Sequence, residues 1–257
     1  MVSPALVASV ACLIPGLALL FLLLRRYEGY FDDRRLFFSL AVGLFAGLVV
    51  AALENVLFRF NSDDFVAQTS LGQAALFFVA GYALVETLAK LVLLGSRGFR
   101  GRKDTPYYGA ALGIGMGATL AIQNVALGME RTGLAGRAVD WGWVYAFIVL
   151  LVLHVGALAG HGASGVWVGK GTGDGRFWKG LGWGSALQAP FLALRFLPVG
   201  GRSVILEFAV LSLAAGVGLV LFTQRRVLDT IVPPEIRDQV RREMRRAHRR
   251  EGRDGQS

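Results

Sequence analysis

The chain has 257 residues, of which 54% are hydrophobic and only 18% are charged, and its mean hydropathy is +0.52. A soluble globular domain carries about a quarter charged residues and lacks repeated apolar runs of about 20 residues, so the composition indicates an integral membrane protein. The net charge of +9 resides in loops and in the C-terminal tail, which favours contact with anionic lipids and does not indicate a nucleic-acid partner. The single cysteine, Cys12, excludes an intramolecular disulfide framework and a cysteine metal site.

Seven apolar segments follow one another along the chain, each with the length of a helix that crosses a bilayer. They cover residues 3–24, 36–54, 71–95, 106–129, 141–168, 180–198 and 204–224. The first segment lacks a convincing small-residue cleavage site, so we expect a retained helix and not a removed signal peptide. The sequence therefore predicts an all-α, polytopic membrane bundle of about seven transmembrane helices over residues 1–225.

Basic residues concentrate in every second connection between these segments. The connections after the first, third and fifth segments carry, in turn, Arg25, Arg26, Arg34 and Arg35, then Arg97, Arg100, Arg102 and Lys103, then Lys170, Arg176 and Lys179. The intervening connections are poorer in Lys and Arg. Because basic loops stay on the cytoplasmic side, the N-terminus is predicted outside and the C-terminus in the cytoplasm.

Residues 226–257 are predicted to form a basic cytoplasmic tail. After Pro233 and Pro234, the stretch PEIRDQVRREMRRAHRREG places Ile236, Val240 and Met244 on one stripe of a helix surrounded by arginines. Such a helix suits the surface of an anionic leaflet. A soluble, frayed tail is the alternative interpretation.

The third segment, residues 71–95, carries the most unusual polar pair of the chain, Glu86 and Lys90. Residues four positions apart share one helix face, so the two side chains can pair or point together at neighbouring helices. An ionisable residue in a spanning helix costs at least ~2.5–3.5 kcal/mol. The pair therefore needs a partner, a water-filled cavity or a function, and a structural ion pair that locks the bundle is the alternative.

Other polar side chains are predicted at a similar depth in the membrane. His154 lies near the middle of the fifth segment, His161 lies two turns closer to the cytoplasm, and Gln188 lies near the middle of the sixth. With Glu86, these side chains are predicted to converge on one inner cavity. For each histidine, a bond to a backbone carbonyl or a serine is the alternative.

Gln123 and Asn124 lie in the outer half of the fourth segment. Amide side chains at such positions can orient a substrate, and they can equally serve as hydrogen-bonding contacts between helices.

The chemistry that such a cavity could perform is hydrolysis of a peptide bond inside the membrane. A carboxylate can take a proton from water, a histidine can assist, and amides can position the scissile carbonyl. A zinc site needs three protein ligands and an open position, which one glutamate and two histidines about 10 Å apart supply poorly. No cofactor is required by the sequence; if a divalent metal such as zinc binds, His154 or His161 is the expected ligand.

Several segments resemble the PrsW-type intramembrane proteases, bacterial membrane proteins of the glutamate-using, CAAX-protease-like group. The segment LIPGLALLFLLLRRYEGY resembles their first helix, and AGYALVETLAKLVLL resembles the helix with the Glu-Glu-x-x-Lys motif. The segment YYGAALGIGMGATLAIQNVAL resembles their Tyr-Gly-Ala…Glu-Asn helix, and GHGASGVWVGKG and SALQAPFLAL fall where the family has histidine-bearing helices. The resemblance covers about residues 1–225.

This resemblance implies regulated proteolysis of a membrane-anchored protein, such as an anti-sigma factor, in the bacterial cytoplasmic membrane. Glu86 would activate water and His161 or His154 would assist. The residues that would orient the substrate are Lys90, Gln123, Asn124 and Gln188.

The chain departs from the family at its motifs. Glu86 is a single acid where two adjacent ones are expected, Gln123 replaces a glutamate, and Gln188 replaces a histidine. Since glutamine cannot act as a base, a catalytically inactive relative that binds transmembrane segments is a second hypothesis. A small transporter, with Glu86 and Lys90 in a proton path, is a third.

Overall fold

The computed structural model describes residues 10–11, 13–24, 27, 30–68, 71–131, 140–193 and 202–235. They form a bundle whose helices are α1 (Leu13–Leu24), α2 (Asp33–Gln68), α3 (Leu71–Leu94), α4 (Thr105–Arg131), α5 (Trp141–Gly173), α6 (Phe177–Ala193) and α7 (Arg202–Thr223). A π-helical turn, Gln224–Leu228, continues α7 and leads into the short helix α8, Asp229–Ile231. No strand occurs in this part of the chain, as the all-α prediction requires.

Five helices among the described residues are long and apolar enough to cross a membrane. These spans are Asp33–Glu54, Leu76–Leu94, Thr105–Ala126, Trp141–Gly173 and Leu206–Ile231. The described parts of α1 and α6 are shorter, at 12 and 17 residues, and α6 contains Pro190. Large apolar side chains of α2 and α3 face outward, among them Phe37, Phe45, Leu48, Phe77, Leu84 and Val92. The chain is therefore a multi-pass helical membrane protein.

Two helices, α2 and α5, are longer by five residues or more than the apolar segments that predicted them. Helix α2 has 36 residues where the sequence marked 36–54, and α5 has 33 residues where it marked 141–168. At 1.5 Å per residue, α5 is about 50 Å long, well beyond the ~30 Å hydrocarbon core. Hydropathy marks only the part of a helix that lies in lipid, whereas the backbone hydrogen bonds continue past it.

Helix α4 lies at the centre of the bundle. Its span is the least apolar of the five, with a mean hydropathy of 1.2, yet it is the most buried, at 78%. Glycines explain this: Gly115 lies against the carbonyl of Leu40 on α2, and Gly113 lies against the carbonyl of His161 on α5. A side chain at either glycine would overlap a neighbouring backbone, so the helices approach as closely as small residues permit.

A tight turn after α5 sets the position of α6. Gly175 has a φ of +70°, a conformation that glycine adopts without strain, and the turn folds α6 back along α5 with Gly180 against Gly171. On its other side α6 packs on α3, where Gly184 lies against Thr87. Helix α6 is therefore placed between α5 and α3.

The residues that follow α7 pack against the bundle. Val227, Leu228 and Val232 are buried. The Tyr27 hydroxyl donates to the Asp229 carboxylate at 2.6 Å, and the Tyr30 hydroxyl, near the start of α2, donates to the carbonyl of Ile231 at 2.9 Å. The sequence placed residues 227–232 in a solvated tail, and the structure places them in the folded bundle. The predicted stripe of Ile236, Val240 and Met244 lies outside the described residues.

Candidate functional site

Glu86 and Lys90 lie on the buried stripe of α3. That stripe comprises Phe78, Val79, Tyr82, Ala83, Glu86, Thr87, Lys90 and Leu94, at the three- and four-residue spacing of one helix face. Both ionisable side chains are completely buried. Glu86 is eight residues from the end of α3, or about 12 Å inside the helix. Both side chains point toward neighbouring helices, which is one of the two arrangements that the sequence left open.

Gln188 of α6 connects the two charged side chains. Its amide nitrogen Nε2 donates to Oε2 of Glu86, and its amide oxygen Oε1 accepts a hydrogen bond from Nζ of Lys90. Glutamine can do this because its amide has both a donor and an acceptor. The sequence suggested that Glu86 and Lys90 can pair with each other; the structure joins them through a third residue.

His161 of α5 completes the contacts of the carboxylate. Its Nδ1 lies 3.4 Å from Oε2 of Glu86, and its side chain is almost fully buried. The imidazole packs on Gly117 of α4, where a Cβ atom would lie 2.8 Å from Cγ of His161. The absence of a side chain at position 117 therefore makes room for the ring beside Glu86.

Ser164 is the member of the site that the sequence did not single out. Its Oγ accepts a hydrogen bond from Nζ of Lys90 at 3.2 Å, and it is completely buried. It follows His161 by three residues, so both lie on one face of α5. That spacing is the only signal that could have identified it, because serine is common at contacts between membrane helices. We refer to Glu86, Lys90, His161, Ser164 and Gln188 as the Glu86 cluster.

The other three predicted site residues lie elsewhere on their helices. His154 is buried, and its Nδ1 is 2.7 Å from the carbonyl of Leu150, one turn back on α5. It is about 10 Å along the helix from His161. Gln123 and Asn124 are half-buried, more than a turn beyond Gly117 on α4. The polar contacts within the Glu86 cluster join α3, α5 and α6.

The Glu86 cluster balances one carboxylate against one ammonium group, with an amide between them. Its members are at most 3% exposed, so the five side chains are closed off from bulk water in this conformation. In the part of the chain that the structure describes, no three His, Cys, Asp or Glu side chains are grouped to hold a metal ion. A carboxylate in contact with an imidazole and an amide can bind and deprotonate a water molecule that reaches it.

A second polar group lies at the start of α4, with Arg102 and Asp104 just outside the membrane span of that helix. Arg102 forms a two-point ion pair with Asp104, at 3.0 and 2.9 Å, and the Tyr108 hydroxyl donates to Asp104 at 2.7 Å. Partial burial raises the pKa of Asp104, but these hydrogen bonds and the Arg102 charge outweigh it, so the pKa of Asp104 lies below its ordinary value.

Comparison of the chain with protein-family models, with curated proteins and with solved structures found no match in any of the three. The resemblance to PrsW-type proteases therefore depends on the sequence motifs alone, and the chemistry of the site depends on the contacts of the Glu86 cluster.

Proposed function

We propose that this protein is an intramembrane peptidase in which Glu86 activates a water molecule. One observation carries the proposal: the Glu86 carboxylate, buried inside the membrane span of α3, contacts both the His161 imidazole and the Gln188 amide. A carboxylate buried at this depth is costly and calls for a function. An imidazole beside it provides the second proton-transfer group that peptide hydrolysis needs.

The roles follow from the contacts. Glu86 takes a proton from water, and the water oxygen attacks the scissile carbonyl carbon. His161, with Nδ1 3.4 Å from the carboxylate, receives that proton and passes it to the leaving nitrogen as the C–N bond breaks. Lys90, held by Ser164 and Gln188, supplies the positive charge for the oxyanion.

The topology that accompanies this proposal has seven spans, with the N-terminus outside and the C-terminus in the cytoplasm. It is supported by the basic residues near the ends of α1, α3 and α5. On the resemblance to PrsW-type proteases, the substrate is a membrane-anchored protein in the bacterial cytoplasmic membrane. Because the Glu86 cluster is closed, the substrate reaches it only after the helices around Glu86 move apart.

A second candidate function is binding of a transmembrane segment without cleavage. The closed state of the Glu86 cluster favours it: Gln188 uses its donor and its acceptor to join Glu86 to Lys90. Side chains that are joined in this way can hold the bundle together without reacting. In that case partner binding depends on the packing of the helices and not on the carboxylate.

Comparative N-terminal proteomics of native membranes separates the two functions. The membranes come from cells that have the wild type, no protein, Glu86→Gln or Glu207→Gln, at matched abundance. Glu207 is an exposed glutamate on α7, so its variant controls for the loss of a carboxylate as such. A peptidase gives new protein termini in or beside a transmembrane segment with the wild type and Glu207→Gln only.

The same comparison identifies a binding protein. If the termini are identical in all four membranes under several stress conditions, the protein does not cleave, and the peptidase proposal fails. The thermal stability of purified Glu86→Gln is measured in parallel, because loss of the termini is evidence of catalysis only when the variant is folded.

A further inference from the structure

A pocket opens at the end of the bundle where α4 begins and α5 ends. Its volume is about 220 Å³, and its lining includes Arg102 and Lys103 before α4, Lys170 and Asp174 at the end of α5, and Thr230 and Ile231 of the C-terminal segment. It lies away from the Glu86 cluster, which none of these residues belongs to. Three of the eight lining residues are basic and one is acidic, so the pocket is suited to an anion.

The charges around the pocket are not fully balanced. Arg102 is paired with Asp104, and Lys170 lies 3.2 Å from Asp174. Lys103 is exposed, and among the described residues no hydrogen bond or ion pair engages its ammonium group. The lining therefore offers one uncompensated positive charge beside two cations that could turn toward an incoming anion.

Size and position narrow the class of ligand. A volume of about 220 Å³ is below the ~300–1,000 Å³ of pockets that enclose drug-sized molecules, so a compact group fits better than a nucleotide. The pocket lies beside Thr105 and Gly173, where the spans of α4 and α5 end. Headgroups of the bilayer lie at this level, and basic pockets between membrane helices are typical sites for anionic headgroups.

We propose that this pocket binds the phosphate of an anionic phospholipid headgroup. Lys103 makes the ion pair, and Lys170 and Arg102 contribute charge from either side. Because Thr230 and Ile231 form one wall, the bound headgroup connects the C-terminal segment to α4 and α5. The lipid therefore stabilises the contact that Tyr30 makes with the Ile231 carbonyl. This inference does not depend on the proposed peptidase activity.

The test uses the full-length protein in detergent, with phosphatidylglycerol, phosphatidylcholine or inorganic phosphate added. Native mass spectrometry counts the bound lipids, and thermal unfolding measures the stabilisation that each addition gives. The variants are Lys103→Gln and Lys179→Gln. Both replace an exposed lysine at the same end of the bundle, but only Lys103 lines the pocket.

We expect phosphatidylglycerol to bind and to raise the Tm of the wild type and of Lys179→Gln. The affinity should fall about fivefold in Lys103→Gln, the effect of removing one basic residue at an anionic surface. The proposal fails if both variants lose affinity equally, since the effect is then one of general charge. It also fails if phosphatidylcholine binds as tightly as phosphatidylglycerol, or if inorganic phosphate alone reproduces the rise in Tm.

Discussion

At the scale of the residue, the central feature is an amide that joins two opposite charges inside a membrane helix bundle. Removing a charge from water costs several kcal/mol even after the protein relaxes. Gln188 offsets part of this cost, because it offers an acceptor to Lys90 and a donor to Glu86. Gln188 can do this because one amide group carries both a donor and an acceptor. Neither a carboxylate nor an ammonium group offers both.

The first prediction concerns that bridge. Replacement of Gln188 by Met keeps an unbranched side chain of similar length and removes both hydrogen bonds. Since a hydrogen bond to a charged group contributes about 1.5–3 kcal/mol, we expect the free energy of unfolding to fall by about 3 kcal/mol or more. Thermal or denaturant unfolding in detergent measures the change. Gln123→Met, the same substitution at a half-buried site on α4, should cost under about 1 kcal/mol. Equal losses in the two variants would contradict the bridging role.

The second prediction concerns how the contribution of Asp104 to the stability of the fold changes with pH. The folded protein lowers the pKa of Asp104, so the carboxylate stabilises the fold above its unfolded pKa of about 3.9. That contribution is lost as the pH falls through the folded pKa. The difference in Tm between wild type and Asp104→Asn should be constant above about pH 5 and shrink below about pH 4. The group is partly exposed, so the contribution should not exceed about 1 kcal/mol. A difference that does not change with pH would contradict the ionic role of Asp104.

At the scale of the element, the glycines of α4 determine where the site lies. Gly113 brings α5 close enough for its backbone to touch α4, and Gly117 leaves space for the His161 ring. On the opposite face of α4, Gly115 does the same for α2. The position of His161 relative to Glu86 is therefore set by the packing of α4 and not by α5 alone.

The third prediction tests this packing. A methyl group at Gly113 overlaps the His161 carbonyl, so Gly113→Ala should lower the free energy of unfolding by about 1–3 kcal/mol. Gly218→Ala is the control, because a Cβ atom there meets no described atom within 4 Å. The control should be neutral or slightly stabilising, since alanine is the better helix former. The measurement is the free energy of unfolding of both variants in the same detergent. If Gly113→Ala leaves the free energy of unfolding unchanged, the close contact between α4 and α5 is contradicted.

At the scale of the whole molecule, much of the bundle could be predicted from the sequence. Glu86, Lys90 and Gln188 were identifiable because polar side chains are conspicuous in apolar segments. Ser164 was not, since a serine in a glycine-rich stretch looks like ordinary helix packing. The burial of Val227 and Leu228 was hidden by the adjacent arginines, Arg225 and Arg226.

The sequence also indicates which helix carries a polar residue. It does not indicate which neighbouring helix packs against the face on which that residue lies. Gln123 and Asn124 stood out for the same reason as Gln188, yet the polar contacts within the Glu86 cluster join α3, α5 and α6. Which faces meet depends on glycine contacts such as that of Gly113 with α5. No periodicity along a single helix contains this information.

The fourth prediction concerns orientation. Trp141 and Trp178 are highly exposed, and they lie in the first turns of α5 and α6, at opposite ends of the bundle. In a Cys12→Ser background, Trp141→Cys should react with a membrane-impermeant thiol reagent in intact cells. Trp178→Cys should react only after the membrane is permeabilised. The opposite pattern would reverse the proposed topology, and it would place the pocket beside Lys103 on the outer face.

The distance along the chain between Glu86 and Gln188 has a consequence for biosynthesis. The two residues are 102 positions apart, which corresponds to about 5–20 s of translation at typical rates. Throughout this interval α3 carries a carboxylate and an ammonium group that lack their bridge. We therefore expect α3 to remain beside the insertion machinery until α6 arrives.

Photocrosslinking would measure how long α3 stays beside the insertion machinery. The crosslinker is placed at position 88, on the outward face of α3, in nascent chains that are stalled before and after α6. Release of α3 before α6 is made would contradict this expectation. On this view, the order of insertion into the membrane differs from the order of synthesis.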